Sequence, residues 1–275
     1  MSLDPLKFKY SLGQTRVIAL EIAVSTLFCL HKPFHEALPD IIQAGTSRIE
    51  LVDAGPHILS QTRVERLLEM KASYDLRYAL HAPFTDVNIA ATDPYMREVI
   101  LQRLETTIKW ASTLEARALV FHPGNSTAAE RFSQETPWVL NLLSVKRLLR
   151  FAEEYGVKAM IENVPEPFPY VMKSVEDFER FYEEVDKDVE MVLDVAHANI
   201  RGEIFSFIRR LGNRIGHVHV SDNDGSADMH LQVGKGTIDW DDVVSALKES
   251  SYGGWITIES YDGVAESLRI LRGLI

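Results

Sequence analysis

Histidines and acidic residues stand at the ends of a succession of short apolar runs in this chain. One such residue would be unremarkable, because a polar side chain after an apolar run can simply meet solvent. A whole set brought together would need a counter-charge, because clustered acids repel one another and raise each other's pKa. A divalent cation supplies that charge, and imidazole and carboxylate are ligands of zinc, manganese, cobalt and iron. The set comprises His81, His122, Glu162, Asp194, His197, His219 and Glu259.

The loop after the seventh apolar run adds two candidates, Asp228 and His230, which lie two residues apart before a glycine-rich turn. An isolated pair of this kind is weak evidence, but it follows His219 by only a short loop. His81 and His122 have an alternative role as strand-end histidines bonded to the backbone. We expect a site role for all four residues, either as metal ligands or as contacts to substrate.

Several nearby residues have open roles. Glu50 either orients a substrate hydroxyl or forms a salt bridge. His217 precedes His219 by two residues, so we expect it on the same face of its strand but deeper, as a packed or supporting side chain. Phe168 and Tyr170 follow the fifth run in a proline-rich loop, where they either line a substrate pocket or anchor the loop. The histidines expected at the surface are His31, His35 and His57.

The polar residues can meet only if the preceding elements bring them to one place. Apolar runs alternate with stretches of helical periodicity, which predicts strand–helix–strand units and a parallel sheet. Eight strands and eight helices in about 250 residues describe a (β/α)8 TIM barrel, whose active sites lie where the carboxyl ends of the strands converge. The predicted strands are Ile18–Ser25, Arg48–Asp53, Leu76–His81, Ala118–His122, Lys158–Asn163, Glu190–Asp194, Ile215–Ser221 and Trp255–Ser260.

The helices carry capping signals of their own, including a capping Asp93 before Pro94, and Gly156 after a helical stretch. A doubly wound open sheet is the rival fold, but it would normally carry a glycine-rich phosphate turn after its first strand. The chain has no such turn there, and without a linker or repeat we predict a single α/β barrel domain over residues 1–275. The clearest predicted helices are Pro94–Leu114, Leu140–Tyr155, Ser174–Val185, Asp239–Lys248 and Gly263–Leu274.

The composition of the 275 residues, 46% hydrophobic and 25% charged, is ordinary for a globular protein. A net charge of −11 disfavours a nucleic-acid partner, because such proteins usually show a basic excess. No apolar run approaches the roughly 18 residues of a membrane span, so we expect a cytoplasmic protein without a membrane partner. The single cysteine, Cys29, excludes an intrachain disulfide and is expected to be a small buried residue rather than a nucleophile.

The stretch His217–Trp240 reads HVHVSDNDG, then DMHLQVGKGTIDW after two residues. It resembles the strand-seven motif of the xylose isomerase-like TIM barrel superfamily, which includes endonuclease IV and a branch of sugar and sugar phosphate isomerases and epimerases. The resemblance covers nearly the whole chain, from the second strand to the eighth. It implies a divalent metal cofactor such as Zn, Mn, Co or Mg, with one to three ions per chain, and is compatible with a homo-oligomer.

The resemblance also implies roles for individual residues. Glu162, Asp194, His219 and Glu259 match the Glu, Asp, His and Glu that hold metal in that superfamily. In its isomerases and epimerases the two glutamates are the acid and base on opposite faces of the sugar, and the metal polarises the carbonyl. Glu162 and Glu259 are therefore the expected catalytic residues. The expected substrate contacts are His81, His122, His197, Glu50 and Lys235.

The expected function is a sugar or sugar phosphate isomerase or epimerase that moves a proton at the carbon next to a carbonyl. The alternative is a zinc phosphodiesterase of the endonuclease IV type, acting on abasic-site DNA. Its three-zinc site has further ligand positions, at which this chain has His81, His122, His197, Asp228 and His230.

Two features disfavour that alternative. The first strand lacks the histidine of the endonuclease signature, and the mouth loops are acidic or neutral apart from Lys235 and Arg201, whereas DNA phosphates require basic side chains. A third hypothesis is a metal-bearing barrel without catalytic activity.

Overall fold

Parallel strands close into a barrel in the computed structural model, which describes residues 20–127 and 136–275. Within these residues eight strands pair in chain order, and β1 pairs with β8 to complete the ring. This confirms the predicted (β/α)8 barrel; residues 18 and 19 of the first predicted strand lie outside the described part. The strands are β1 Glu21–Ser25, β2 Arg48–Val52, β3 Arg77–His81, β4 Leu119–Phe121, β5 Ala159–Glu162, β6 Met191–Asp194, β7 Ile215–Val220 and β8 Trp255–Ile258.

Helices follow the strands and cover the outside of the barrel. The described residues form nine α-helices, because the connection between β6 and β7 contains two. The helix predicted to begin at Leu140 begins at Thr136 instead, because the buried Pro137 and Trp138 extend its apolar face by one turn. The helices are α1 Phe34–Ile42, α2 Gln61–Tyr74, α3 Pro94–Thr113, α4 Thr136–Glu154, α5 Val175–Glu184, α6 Val195–Ile200, α7 Ile204–Leu211, α8 Trp240–Glu249 and α9 Val264–Leu274.

Capping side chains fix where α3 and α5 start. The Asp93 carboxylate accepts hydrogen bonds from the backbone of Tyr95 and Met96 at 2.8 and 3.1 Å. Ser174 and Asp177 form the predicted capping box, in which each side chain accepts from the other residue's backbone N–H. These bonds satisfy amide groups that have no partner within the helix, so α3 and α5 each begin at a residue that the sequence marks.

The strands are buried on both faces, because alternate side chains point to the helices and to the barrel interior. On β2, Ile49 and Leu51 belong to the large cluster that packs against the helices. Glu50 lies between them and therefore points inward. Val120 and Met160 are separate from the large cluster and fill part of the interior. The barrel interior is therefore packed, and its polar residues, such as Glu50, come from the strand positions that point inward.

Two single-residue expectations had different outcomes. Cys29 is buried, and burial raises the pKa of its thiol to about 12, which confirms a packing role. The surface prediction for His57 was wrong, because the side chain is buried against Phe34 with its Nε2 3.1 Å from the Lys32 carbonyl. Among the described residues, no helix is long and apolar enough to span a membrane.

Candidate metal centre and substrate pocket

A pocket of about 320 Å³ opens at the carboxyl ends of the strands, within the usual size range of small-molecule sites. The mouth is the expected position for a barrel site. The pocket combines acidic and imidazole groups on its floor with aromatic side chains on its walls. Its lining residues are Leu27, Val52, His81, Phe84, Thr85, His122, Glu162, Pro165, Phe168, Tyr170, His197, Asp228, His230, Glu259 and Tyr261.

Four of the sequence-predicted ligands meet at the floor of this pocket. Each of Glu162, Asp194, His219 and Glu259 offers one atom, and the four atoms lie within 4.8 Å of one another. The Nδ1 atom of His219 lies 3.1 Å from Glu162 Oε1 and 3.2 Å from Glu259 Oε2. Because parallel strands end at one rim, residues that close β5, β6, β7 and β8 necessarily converge. This four-residue group is called the central cluster below.

Asp194 provides a test of whether a cation fits the central cluster. Its Oδ1 accepts a hydrogen bond from the His197 backbone at 2.7 Å, but its buried Oδ2 has no hydrogen-bond partner among the residues that the structure describes. Burial raises the pKa of Asp194 to about 7 in spite of the nearby His197. An unpaired buried carboxylate oxygen is costly, and a divalent ion would satisfy it. The donor set of three carboxylates and one imidazole suits several divalent metals.

Two further trios flank the central cluster. His81 and His122 point their Nε2 atoms at Glu162 Oε2, at 3.3 and 3.1 Å. On the other side, Asp228 Oδ2 lies 3.4 Å from His197 Nε2 and 3.2 Å from His230 Nε2. In each trio the ligand atoms also lie within 4.8 Å of one another. All nine residues predicted as possible ligands are therefore adjacent, although nothing yet assigns ions to the flanking trios.

The charges of these side chains depend on one another. Burial alone would lower the pKa values of His81 and His197, but neighbouring carboxylates, chiefly Glu162 and Asp194 respectively, raise them to about 9 and about 10. Burial would likewise raise the pKa of Glu162, but the imidazoles of His219 and His122 hold it well below its usual value. Protons on the histidines thus balance the carboxylates where a metal ion would otherwise do so.

Two expected substrate contacts lie away from the pocket wall. Glu50 is fully buried beneath the central cluster, where it contacts His217 and His219. Lys235 is exposed on the β7–α8 loop and borders a separate depression with Gln232. The predicted deep position of His217 agrees with its complete burial. The sequence could not predict the position of either residue relative to the pocket. Each position depends on how a side chain or a loop lies in the folded barrel.

Aromatic side chains form the upper wall of the pocket. Phe168 and Tyr170 both line it, as one of their two sequence-based interpretations held. Phe84 and Tyr261 also line it and were not anticipated; their rings lie 5.9 Å from His122 and 4.7 Å from His230, respectively. Their positions just after strand ends, at His81-Ala-Pro-Phe84 and Glu259-Ser-Tyr261, were the available signal.

The β7–α8 loop is held in place by a buried carboxylate. Asp222 Oδ2 accepts hydrogen bonds from the Gly234 backbone at 2.8 Å and from Trp240 Nε1 at 2.9 Å. The backbone of Asp222 also exchanges two hydrogen bonds of 2.9 Å with Leu231. These contacts close the loop that carries Asp228 and His230 over the pocket. They give a physical reason for the motif recognised in the sequence at His217–Trp240.

Comparison with known proteins identifies the family of this chain. The model of the xylose isomerase-like TIM barrel family matches residues 40–274. The chain belongs to this family. An uncharacterized protein of Methanocaldococcus jannaschii is 30% identical over 250 residues, covering 89% of this chain and 85% of the relative. The fructoselysine 3-epimerase of Shigella flexneri is 21% identical over 245 residues, covering 84% of this chain and 87% of the relative.

A solved structure of a D-tagatose 3-epimerase-like protein superimposes with a TM-score of 0.87 at 28% identity, covering 92% of this chain and 96% of that chain. An L-ribulose 3-epimerase superimposes with a TM-score of 0.75 at 20% identity, covering 93% and 88%. The second comparison supports the barrel fold only.

Proposed function

We propose that this protein is a divalent-metal-dependent sugar isomerase or epimerase that transfers a proton at the carbon next to a carbonyl. The observation that carries the proposal is the central cluster at the floor of the pocket. It groups ligand atoms of two glutamates, Asp194 and His219, and a buried Asp194 oxygen there has no hydrogen-bond partner within the described part of the chain. Relatives named as fructoselysine and D-psicose 3-epimerases support the reaction class. The proposal includes a single domain over residues 1–275 and leaves the oligomeric state open.

Glu162, Asp194, His219 and Glu259 would hold the ion, through the ligand atoms that face one another in the central cluster. When bound, a divalent ion polarises a substrate carbonyl and makes the neighbouring C–H more acidic. Glu162 and Glu259 would remove the proton on one face of the sugar and return one on the other. The pKa of Glu162 lies well below its usual value, which suits the carboxylate form that a base requires.

Other pocket residues would orient the sugar. His197 and His230 face the pocket and would bond to hydroxyl groups, while Asp228 fixes both imidazoles. His81 and His122 hold Glu162 Oε2 and would restrict the direction in which this carboxylate reaches the substrate. Phe168 and Tyr170 offer ring faces to the sugar's C–H groups and exclude water above it.

Solvent exchange measured by NMR tests the proposal. The purified protein with Mn²⁺ or Co²⁺ is incubated in D2O with D-fructose, D-psicose or D-tagatose, and loss of the C3 proton signal is followed after the metal is removed. We expect Glu162→Gln and Glu259→Gln each to abolish exchange, while Glu249→Gln, at an exposed helix position, retains it. Exchange that persists in both active-site variants would refute the mechanism.

The flanking trios favour one second candidate, a zinc phosphodiesterase that cleaves DNA at abasic sites. With three ions held around Glu162, the site would suit phosphodiester cleavage. This candidate requires two or three zinc ions per chain by mass spectrometry, with the extra ions lost in His81→Ala or His230→Ala. It also requires cleavage of an abasic-site duplex at low salt. One ion per chain and an intact duplex exclude it, and metal binding without turnover of either substrate leaves the non-catalytic barrel.

A further inference from the structure

Glu50 lies inside the barrel directly beneath the central cluster and has no exposed surface. It belongs to β2, yet it contacts side chains of β7, which lies three strands away around the ring. Its Oε2 lies 2.9 Å from His217 Nε2, and its Oε1 lies 3.1 Å from His219 Nε2. A carboxylate buried this deeply is costly unless hydrogen-bond donors surround it, so the two imidazoles account for its presence.

The two ring nitrogens of His219 face different groups. Nδ1 faces Glu162 and Glu259 of the central cluster, whereas Nε2 faces Glu50. An ionised carboxylate only accepts hydrogen bonds, so the nitrogen beside Glu50 must carry a proton. A neutral imidazole with its proton on Nε2 has its lone pair on Nδ1. The position of Glu50 therefore selects which nitrogen of His219 is available to a cation.

His217 holds the far side of Glu50. His217 is fully buried, and its Nε2 lies 2.9 Å from Glu50 Oε2, a distance at which the imidazole N–H donates a hydrogen bond to the carboxylate. The Thr257 hydroxyl lies 2.8 Å from the same Nε2 atom of His217. The carboxylate thus has fixed partners on two sides, which prevents it from turning toward the pocket.

We propose that Glu50 is a positioning residue that fixes the Nε2–H tautomer of His219 and so directs Nδ1 to the central cluster. The inference rests on the proposed metal site but not on the identity of the sugar or the reaction. It assigns to Glu50 neither a substrate contact nor a metal bond. It also explains why a charged residue lies at a β2 position in the barrel interior that has no exposed surface.

The direct test uses wild-type protein labelled with ¹⁵N-histidine and loaded with ¹¹³Cd²⁺. We expect coupling between cadmium and Nδ1 of His219, together with a slowly exchanging proton on Nε2 of the same ring. Assignment of the His219 signals uses His219→Gln. Coupling to Nε2, or a proton on Nδ1, would overturn the proposal without any change at Glu50.

Variants at two positions supply the second arm. Glu50→Gln should weaken Cd²⁺ binding about 10–100-fold in competition with a chelator and speed exchange of the Nε2 proton. Thr257→Val, which removes a hydroxyl that does not contact Glu50, should change affinity less than about 3-fold. Unchanged affinity in Glu50→Gln, or the loss of one bound ion per chain, would overturn the proposal, since the latter outcome makes Glu50 itself a ligand.

These outcomes separate the two proposals. A wild-type protein that binds Cd²⁺ through His219 Nδ1 but exchanges no sugar proton refutes the proposed function and leaves the role of Glu50 intact. Sugar proton exchange in a protein whose His219 binds the metal through Nε2 supports the proposed function and refutes the role of Glu50. Wild-type protein that binds no divalent ion refutes both. If Glu50→Gln does not fold, the wild-type spectrum alone decides.

Discussion

Replacing Asp222 with asparagine should destabilise the protein far more than a neutral surface change. The carboxylate accepts four hydrogen bonds: Gly234 N and Trp240 Nε1 on Oδ2, and Asn223 N and Ile238 N on Oδ1. All four partners are N–H donors. An asparagine side chain has one accepting oxygen, so its NH2 group must face two donors whichever way it turns.

The magnitude follows from the less costly orientation. The carbonyl oxygen keeps Gly234 and Trp240, and the NH2 group replaces bonds of 3.0 and 3.4 Å to Asn223 and Ile238. Bonds to a charged group contribute about 1.5–3 kcal/mol each, and the 3.4 Å bond is weak. Asp222→Asn should therefore lower the free energy of unfolding by about 2–4 kcal/mol. Because the β7–α8 loop carries Asp228 and His230, it should also raise KM for the sugar.

Denaturation in guanidinium chloride, followed by tryptophan fluorescence and circular dichroism, measures the effect. Asp224→Asn is the matched control, because Asp224 lies on the same loop, is exposed and accepts hydrogen bonds from the backbone and hydroxyl of Ser226. We expect it to change stability by less than about 0.5 kcal/mol. If Asp222→Asn also stays within that range, the Asp222 carboxylate does not hold the loop and the reasoning is wrong.

Three further results are expected. First, burial lowers the pKa of His57, so the unfolded chain binds a proton at this residue more readily than the folded chain does. The stability that neutral His57 contributes is therefore complete above about pH 6.5. It is lost as the pH falls toward the lowered pKa. Urea midpoints between pH 7.5 and 5 should fall less steeply in His57→Gln than in wild type. Second, Mn²⁺ at about 100 times its Kd should stabilise the chain by about 2.7 kcal/mol, and this gain should vanish in Asp194→Asn; an equal gain in that variant would exclude the central cluster. Third, a Cβ at position 236 would lie 2.1 Å from the Asn223 carbonyl oxygen, so Gly236→Ala should lower the free energy of unfolding by about 1–3 kcal/mol. Gly273→Ala is the control. Its Cβ would meet nothing within 4 Å, so this change should be neutral or slightly stabilising. Equal melting temperatures for the two glycine variants would contradict this.

The barrel and its central cluster could be predicted from the sequence for the same physical reason. Apolar runs alternating with helical stretches require parallel strands, and parallel strands in a closed barrel all end at one rim. Any polar residue that closes such a strand, as Glu162 and Asp194 do, must then lie near the others. The prediction needed no side-chain detail, because topology alone brings these positions together.

Positions that depend on side-chain reach could not be predicted in this way. His57 lies in the short connection between β2 and α2, and only the folded chain brings Phe34 and the Lys32 carbonyl to it. Lys235 follows the carboxyl end of β7 in the sequence, which predicts a position at the barrel mouth. The fold of its loop places it at a separate depression instead. In each case the deciding contact joins residues whose sequence spacing carries no periodic signal.

Glu50 and Asp194 together show how the interior constrains the chemistry above it. The metal-free cluster balances its carboxylates with protons, because carboxylates raise the pKa of His219 well above its usual value and burial raises that of Asp194 to about 7. A cation bound to Nδ1 of His219 would displace the proton there, while the contact with Glu50 would keep the proton on Nε2. Metal binding would therefore be coupled to proton release from the central cluster. On this hypothesis, a divalent ion could bind without leaving Glu50 as an unpaired charge in the barrel interior.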